Sequence, residues 1–176
     1  MNRLSFKFTT FIFMLIAYTS CSSIKTAPAD MPSPPPKASS VFPKQKGSVN
    51  DFENILSESE EAELTRKIQE LESATSDQIV VVTLVSIKPY LTIESYAFDL
   101  ANDWGVGMEE KDKGIVIALG KELKQIRIEN SMGIQQRLTD SEAKRIIEEL
   151  MIPEFKQENY YKALLKGIEA ISLQLK

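Results

Sequence analysis

A chain of 176 residues, 43% of them hydrophobic, is long enough to form one domain with a buried core, together with additional segments. Its net charge of −4 argues against a nucleic-acid-binding protein, which needs a basic face to meet phosphates. The sequence contains no histidine and a single cysteine, which excludes imidazole bases, the usual nitrogen-ligand zinc sites and an intrachain disulfide. Any chemistry therefore depends on carboxylates, hydroxyls, lysines, arginines and backbone amides.

Residues 1–20 have the pattern of a bacterial signal peptide. Two positive residues, Arg3 and Lys7, precede the apolar run FTTFIFMLIA, which is too short for a comfortable membrane span. Small residues then lead directly to Cys21. This arrangement resembles the lipobox of bacterial lipoproteins, although Tyr18 stands where leucine is usual. We therefore expect a diacylglycerol on Cys21 after removal of the preceding peptide; the alternative is a plain secretory peptide with an incidental cysteine.

Residues 21–46 are interpreted as the lipidated cysteine and a tether rich in proline and serine. Six of the eight prolines of the chain lie here, and proline keeps a segment extended by fixing φ and removing hydrogen-bond donors. We expect this tether to be dispensable for folding and to hold a periplasm-facing domain off a membrane. Ser22 replaces the aspartate that retains some lipoproteins at the inner membrane, so the outer membrane is the favoured location. A proline-rich ligand for another domain is the alternative.

The remaining region, residues 47–176, has a globular pattern. Its first half contains two predicted helices and a strand between them. The capping box SESE at 57–60 predicts a helix with Leu64, Ile68 and Leu71 on one face. The run QIVVVTLVS at 78–86 predicts a strand covered on both faces, which Pro89 ends. A second helix follows, and its inner face consists of Ile93, Tyr96, Ala97, Leu100 and Trp104.

The second half adds two strands and two helices. GIVIALG at 114–120 predicts another doubly buried strand, and QIRIEN at 125–130 predicts a strand with one polar face. The capping box TDSE at 139–142 begins a helix that Pro153 ends. The inward residues of this helix and of the last one are Ile146, Ile147 and Leu150, and then Tyr161, Leu164, Leu165, Ile168 and Ile171. Because apolar strands need cover on both sides, the order of elements predicts an α/β/α sandwich around a small mixed β-sheet.

The segment DWGVGMEEKDKGIVIAL, 103–119, contains the most distinctive loop. Since the strands at 114–119 and 125–130 form a hairpin, the loop entering the first strand and the segment ENSMGIQQRLTD leaving the second lie at the same edge of the sheet. Clustered carboxylates suit a hard cation such as Ca²⁺ or Mg²⁺, and glycines allow close backbone approach. The acidic residues brought together are Glu109, Glu110, Asp112, Glu129 and Asp140.

An ordinary structural explanation exists for the same residues. Gly105 would cap the preceding helix, the charged residues would form a solvated turn, and Asp140 would belong to a helix cap. A phosphate-binding loop is excluded, because the GVG sequence precedes a strand, whereas phosphate loops follow a strand and precede a helix.

Several motifs in the region 47–176 resemble those of the TPM-domain family, which is named after thylakoid photosystem-II-associated proteins and is widespread in bacterial envelopes. The family pattern opens with V-x-D, matched at 49–51, and continues with a WG(I/V)G loop and a Lys-Asp-Asn-Gly-like turn, matched at 104–107 and 111–114. It continues with Arg-Ile-Glu, a glycine-rich turn and Leu-Thr-Asp, matched at 127–129, Gly133 and 138–140. The resemblance implies an α/β/α sandwich.

The resemblance implies several functions. Some plant members are acid phosphatases associated with photosystem II repair, some members bind divalent cations through loop carboxylates, and many bacterial members have no known activity. The acidic positions that match the family pattern, and that would hold Ca²⁺ or Mg²⁺, are Asp51, Asp112, Glu129 and Asp140. The sequence departs from the pattern at three places: Lys113 stands in place of asparagine, Asn130-Ser131 in place of a pair ending in glycine, and Gln135 in place of glutamate. The lysine and the lost carboxylate both weaken a cation site.

The sequence thus favours a lipid-anchored envelope protein whose domain is a cation-responsive binding module for an envelope protein partner. A metal-assisted acid phosphatase is the first alternative, in which a cation would polarise a phosphoryl oxygen and a carboxylate would act as base. An ion-free structural accessory of a membrane complex is the second.

Overall fold

The computed structural model describes residues 41–108 and 112–176. The signal peptide, Cys21, most of the predicted tether and the acidic pair Glu109 and Glu110 lie outside these residues. In the described part, the chain alternates between short strands and helices. In chain order these are β1 (Val49–Asp51), α1 (Glu58–Thr75), β2 (Gln78–Thr83), α2 (Ile93–Trp104), β3 (Gly114–Gly120), β4 (Gln125–Asn130), α3 (Asp140–Ile146), a π-helical turn (Ile147–Met151), α4 (Ile152–Phe155) and α5 (Tyr160–Leu175). None of the described helices is both long and apolar enough to span a membrane.

The strands form one mixed sheet in the order β1-β2-β3-β4. The first three are parallel, and β4 returns antiparallel to β3, with Ile115 opposite Asn130 and Gly120 opposite Gln125. The predicted hairpin is therefore confirmed. Strand β1 was not predicted, because three residues are too few for a periodic pattern to stand out.

Alternate side chains of the central strands enter two separate cores. Ile79 and Val81 pack with α1, α3 and α5 on one face, whereas Val80 and Val82 pack with α2 on the other. Every residue of β3 is buried, as its uninterrupted apolar run predicts. The predicted α/β/α sandwich around a mixed sheet is confirmed.

The end of the third helix differs from the prediction. Pro153 does not end it, because the π turn and then α4 continue the helical path, and Pro153 lies in the first turn of α4, where its missing N–H costs little. The wider π turn also changes which residue faces inward. Met151 is fully buried, while Leu150, which was predicted to point inward, is exposed.

The domain begins earlier than Gly47. Phe42 packs edge-on against Tyr96, with ring centroids 5.1 Å apart, and stacks on Tyr90 at 5.8 Å. The indole Nε1 of Trp104 donates a hydrogen bond of 2.9 Å to the carbonyl of Pro43. The last six residues of the predicted tether, 41–46, thus belong to the fold. Sequence composition placed the boundary later because prolines and lysines dominate this segment, and its one aromatic residue, Phe42, does not stand out.

We predict that Phe42→Ala lowers the free energy of unfolding by about 2 kcal/mol, less than for a fully buried phenylalanine because the ring is only half-buried. Val41→Ala is the matched control, since Val41 is 62% exposed, and it should change stability by less than about 0.5 kcal/mol. Urea denaturation of both variants measures this. Equal midpoints for the two would show that the 41–46 segment does not stabilise the domain.

Candidate functional site

Two loops meet at the edge of the sheet where β3 begins and β4 ends. The structure describes residues 105–108 and 112–113 of the first, the entry loop, and residues 131–139 of the second, the exit loop. The amide of Gly133 donates to the carbonyl of Asp112 at 3.0 Å, and the amide of Ser131 donates to the carbonyl of Gly114 at 2.9 Å. The Ser131 hydroxyl donates to the Asp112 carbonyl and accepts from the Gly114 amide at 2.7 Å. The hairpin geometry predicted this meeting, but the role of Ser131 in joining the loops was missed.

Glycines close the entry loop by letting backbone lie against backbone. Gly107 has φ +81°, and a Cβ on it would lie 2.2 Å from the amide nitrogen of Gly114. A Cβ on Gly114 would lie 2.3 Å from the carbonyl oxygen of Val106. The side chain of Gln78, at the start of β2, accepts a 2.6 Å hydrogen bond from the Gly107 amide. The loop conformation therefore requires glycine at both positions.

Arg127 pairs with two of the acidic residues that the sequence predicted to lie together. Arg127 donates through Nε to Glu129 at 2.9 Å, and its terminal nitrogen lies 3.7 Å from Asp140. Glu129 is mostly buried, with 16% of its side chain exposed, whereas Asp140 is 69% exposed. Sequence reasoning missed this pairing, although alternation along β4 puts residues 127 and 129 on one face and could have suggested it.

Asp112 and Glu129 line a single small cavity between the loops and α2. The cavity has a volume of about 80 Å³, and Asn102, Met108 and Ser131 also line it. Asp112 adopts a left-handed conformation, with φ 57°, and is exposed. Residues from the entry loop, from α2 and from β4 thus meet around one space with two carboxylates at its border.

Asn130 lies where β4 passes into the exit loop. Its side-chain amide donates to the carbonyl of Leu138 at 2.9 Å. Its Oδ1 is buried and accepts no hydrogen bond from the described residues. This oxygen belongs to the class of neutral ligand that hard cations accept.

Asp51 is not part of this cluster. The register pairs it with Thr83 of β2, which is opposite Leu119 of β3, so it lies at the far edge of the sheet from Gly114. Its carboxylate accepts from the Thr83 hydroxyl at 2.5 Å and from the amide of Leu56 at 2.8 Å. Asp51 therefore links β1, β2 and the start of α1, and it cannot share an ion with Asp112.

The donor set fits a hard cation only in part. Within residues 41–108 and 112–176, no group of three or more acidic side chains is arranged to hold a metal. Asp112 and Glu129 have the right chemistry, but the side chain of Asn130 lies on the opposite face of the sheet from Glu129, and Arg127 already neutralises Glu129. A bound cation would have to compete with this guanidinium.

The amino-acid sequence of the folded region matches a known protein family. The sequence model of the family described as the TPM domain matches residues 49–174. The chain belongs to the TPM-domain family. No functionally curated protein matches it significantly. Three of the solved structures similar to this TPM domain are NMR structures of bacterial proteins.

The N-terminal domain of a protein from P. gingivalis is 31% identical, with a TM-score of 0.66 over 72% of this chain and 80% of that one. The BA42 protein of Bizionia argentinensis is 23% identical, with a TM-score of 0.62 over 70% and 83% of the two chains. The N-terminal domain of cg2496 from Corynebacterium glutamicum is 19% identical, with a TM-score of 0.60 over 78% and 86%. The last two likenesses concern the fold alone.

A partly buried ion pair fixes the exit loop of this TPM domain to the rest of the fold. The guanidinium of Arg137 donates to both oxygens of Asp77, at 2.6 and 2.7 Å, and to the carbonyl of Leu175 at 3.1 Å. Asp77 is fully buried. The hydrogen bonds to Asp77 raise the pKa of Arg137 above its usual range, although partial burial opposes this. One side chain thus connects the exit loop, the start of β2 and the end of α5.

Proposed function

We propose that this protein is a lipid-anchored envelope module whose two joined loops bind a divalent cation and thereby change the surface offered to an envelope protein partner. The observation that carries the proposal is the cavity shared by Asp112 of the entry loop and Glu129 near the end of β4, at the place where the entry and exit loops are joined backbone to backbone. An ion bound there would contact both loops at once, so binding would stabilise their joint conformation.

The cation would take Asp112 and Glu129 as ligands, with Asp140 contributing negative charge at the outer side. In the ion-free protein, Arg127 pairs with Glu129 and approaches Asp140. Binding would therefore require the guanidinium to release Glu129, and the affinity is expected to be modest. Arg127 would accordingly have two states, the observed one on the carboxylates and a cation-bound one turned to solvent, and a partner would detect this difference.

We predict that Asp112→Asn and Asp140→Asn each weaken Ca²⁺ or Mg²⁺ binding by about fivefold or more, because each removes a negative charge near a divalent ion. The double variant should lose less binding free energy than the sum of the two single losses, because both residues act on one site. Arg127→Gln should strengthen binding about fivefold, because it removes the competing cation. Stability without cation should change little in Asp140→Asn, since Thr139 supplies the helix cap.

Isothermal titration and thermal melts, with and without chelator, measure these changes. Glu149→Gln is the matched control, because Glu149 is an exposed carboxylate on the π turn, away from the two loops. Cation responses that are equal in Arg127→Gln, Asp112→Asn and the control would refute the site. Hydrolysis of a phosphate monoester that requires the cation and is lost in Asp112→Asn would favour the phosphatase instead.

Lipidation of Cys21 is tested separately from cation binding. We predict that the intact protein partitions into membranes and that Cys21→Ser does not, because only the cysteine can accept the diacylglycerol. Mass spectrometry of the mature protein should show a chain that begins at residue 21 and carries acyl groups. Equal partitioning of the two proteins would overturn the anchor while leaving the cation site untouched.

A further inference from the structure

A second cleft, far from the two loops, has an apolar wall and a cationic rim. It lies between the β3–β4 turn and the turn that joins α4 to α5, and its volume is about 560 Å³. The wall consists of Leu119, Ile126, Ile152, Phe155 and Tyr160. We call it the lysine-rimmed cleft. Its size falls in the range of pockets that bind small organic ligands.

Three lysines stand at the rim: Lys121, Lys124 and Lys156. Among the described residues, none of these amines forms an ion pair, and the one carboxylate at the rim is that of Glu158. The amine of Lys121 instead lies 5.4 Å from the centre of the Tyr160 ring. This concentration of positive charge contrasts with the acidic balance of the whole chain, −4.

The start of α5 makes the electrostatic potential of the cleft more positive. This helix begins at Tyr160, in the wall of the cleft, with no side-chain cap and no acidic residue in its first turn. The helix dipole leaves partial positive charge at this end. The cleft therefore favours an anion next to an apolar surface.

We propose that the lysine-rimmed cleft binds a long-chain carboxylate, with the acyl chain on the apolar wall and the carboxylate between the lysines. An acyl chain suits this wall better than a peptide does, because the wall side chains offer almost no hydrogen-bonding groups and a peptide would leave amides unpaired. The lysines supply charge-assisted hydrogen bonds to the head group. This site is independent of the cation site, since no residue lines both cavities.

The experiment compares three small probes by NMR titration of the intact Cys21→Ser chain. Decanoate has both an anionic head and a chain, acetate has only the head, and decyltrimethylammonium has a chain with the opposite charge. We expect only decanoate to shift the amides of Lys121, Ile126 and Tyr160 at millimolar concentration. Equal shifts with acetate, equal shifts with decyltrimethylammonium, or no shift with decanoate would each overturn the proposal.

Variants of the rim test the role of the lysines. Lys124→Gln and Lys156→Gln should each weaken decanoate binding about threefold, and together roughly tenfold, as expected of partly exposed charge pairs. Lys144→Gln is the control, because Lys144 lies on α3 outside the cleft. Unchanged affinity in the double variant would overturn the proposal. Tighter binding of the capped peptide acetyl-Asp-Leu-Phe-amide than of decanoate would also overturn it, in favour of a protein ligand.

Discussion

Replacing Gly107 of the entry loop or Gly114 at the start of β3 by alanine should destabilise the domain by about 2–4 kcal/mol. In Gly114→Ala the new methyl group would lie 2.3 Å from the carbonyl oxygen of Val106, so backbone has to move in a fully buried strand. In Gly107→Ala the methyl group would meet the amide of Gly114 at 2.2 Å, and φ +81° adds strain that alanine does not tolerate. Both variants should also weaken any cation binding, because the entry loop would no longer hold Asp112 beside the exit loop.

Gly47→Ala is the matched control for both substitutions. A Cβ on Gly47 would meet nothing within 4 Å, so this change should alter the free energy of unfolding by less than about 0.5 kcal/mol. Urea denaturation followed by circular dichroism gives the three values. If Gly114→Ala unfolds at the same midpoint as Gly47→Ala, the entry loop relaxes easily, and the backbone contact between its two ends does not stabilise the site.

Arg137→Met should cost about 3–5 kcal/mol, because it leaves the fully buried Asp77 charged and without its partner. Adding Asp77→Asn should recover a large part of the loss, since the unpaired charge is then gone. Arg66→Met is the control: Arg66 pairs with Glu70 on the surface of α1, where both side chains are more than half exposed, and the change should cost less than about 0.5 kcal/mol.

The Arg137 series also tests how the exit loop is held. Native-state hydrogen exchange should show faster exchange at Leu138 in Arg137→Met than in the control, because the loop loses its connection to β2 and α5. A loss of stability without faster exchange at Leu138 would mean that the Asp77–Arg137 pair stabilises only the core and does not order the loop.

The layers of the fold follow directly from the sequence. Apolar runs such as GIVIALG have no polar face, so they require cover on both sides, and the capping boxes at Ser57 and Thr139 fix where two helices begin. Strand β1 and the packing of Phe42 cannot be predicted from the sequence, because each depends on tertiary contacts made by very few residues. The π turn is similar: nothing in the local pattern shows that the helix passes through Pro153.

The candidate site follows from the sequence only in outline. Antiparallel pairing of β3 and β4 is enough to bring the two loops together, and this much is predictable. The pairing of charges is predictable only in part. Alternation puts Arg127 and Glu129 on one face of β4, but the approach of Arg127 to Asp140 depends on side-chain conformations that no spacing specifies. Asp51 matches a family motif, yet it lies at the other edge of the sheet because β1 runs parallel to β2. A motif match therefore identified the family, but it does not determine which acidic residues lie together in the fold.

The most direct test of the cation-responsive site is an NMR titration of the intact Cys21→Ser chain with Ca²⁺ and with Mg²⁺. We expect the amides of Gly105, Gly107 and Gly114 to shift together with those of Asn130 and Gly133, with one common affinity, because one ion would contact both loops. Amides around Asp51, at the far edge of the sheet, should stay unchanged. If the amides of the two loops do not move at millimolar cation, the loops form only a structural turn into a buried strand, and the proposed function is wrong.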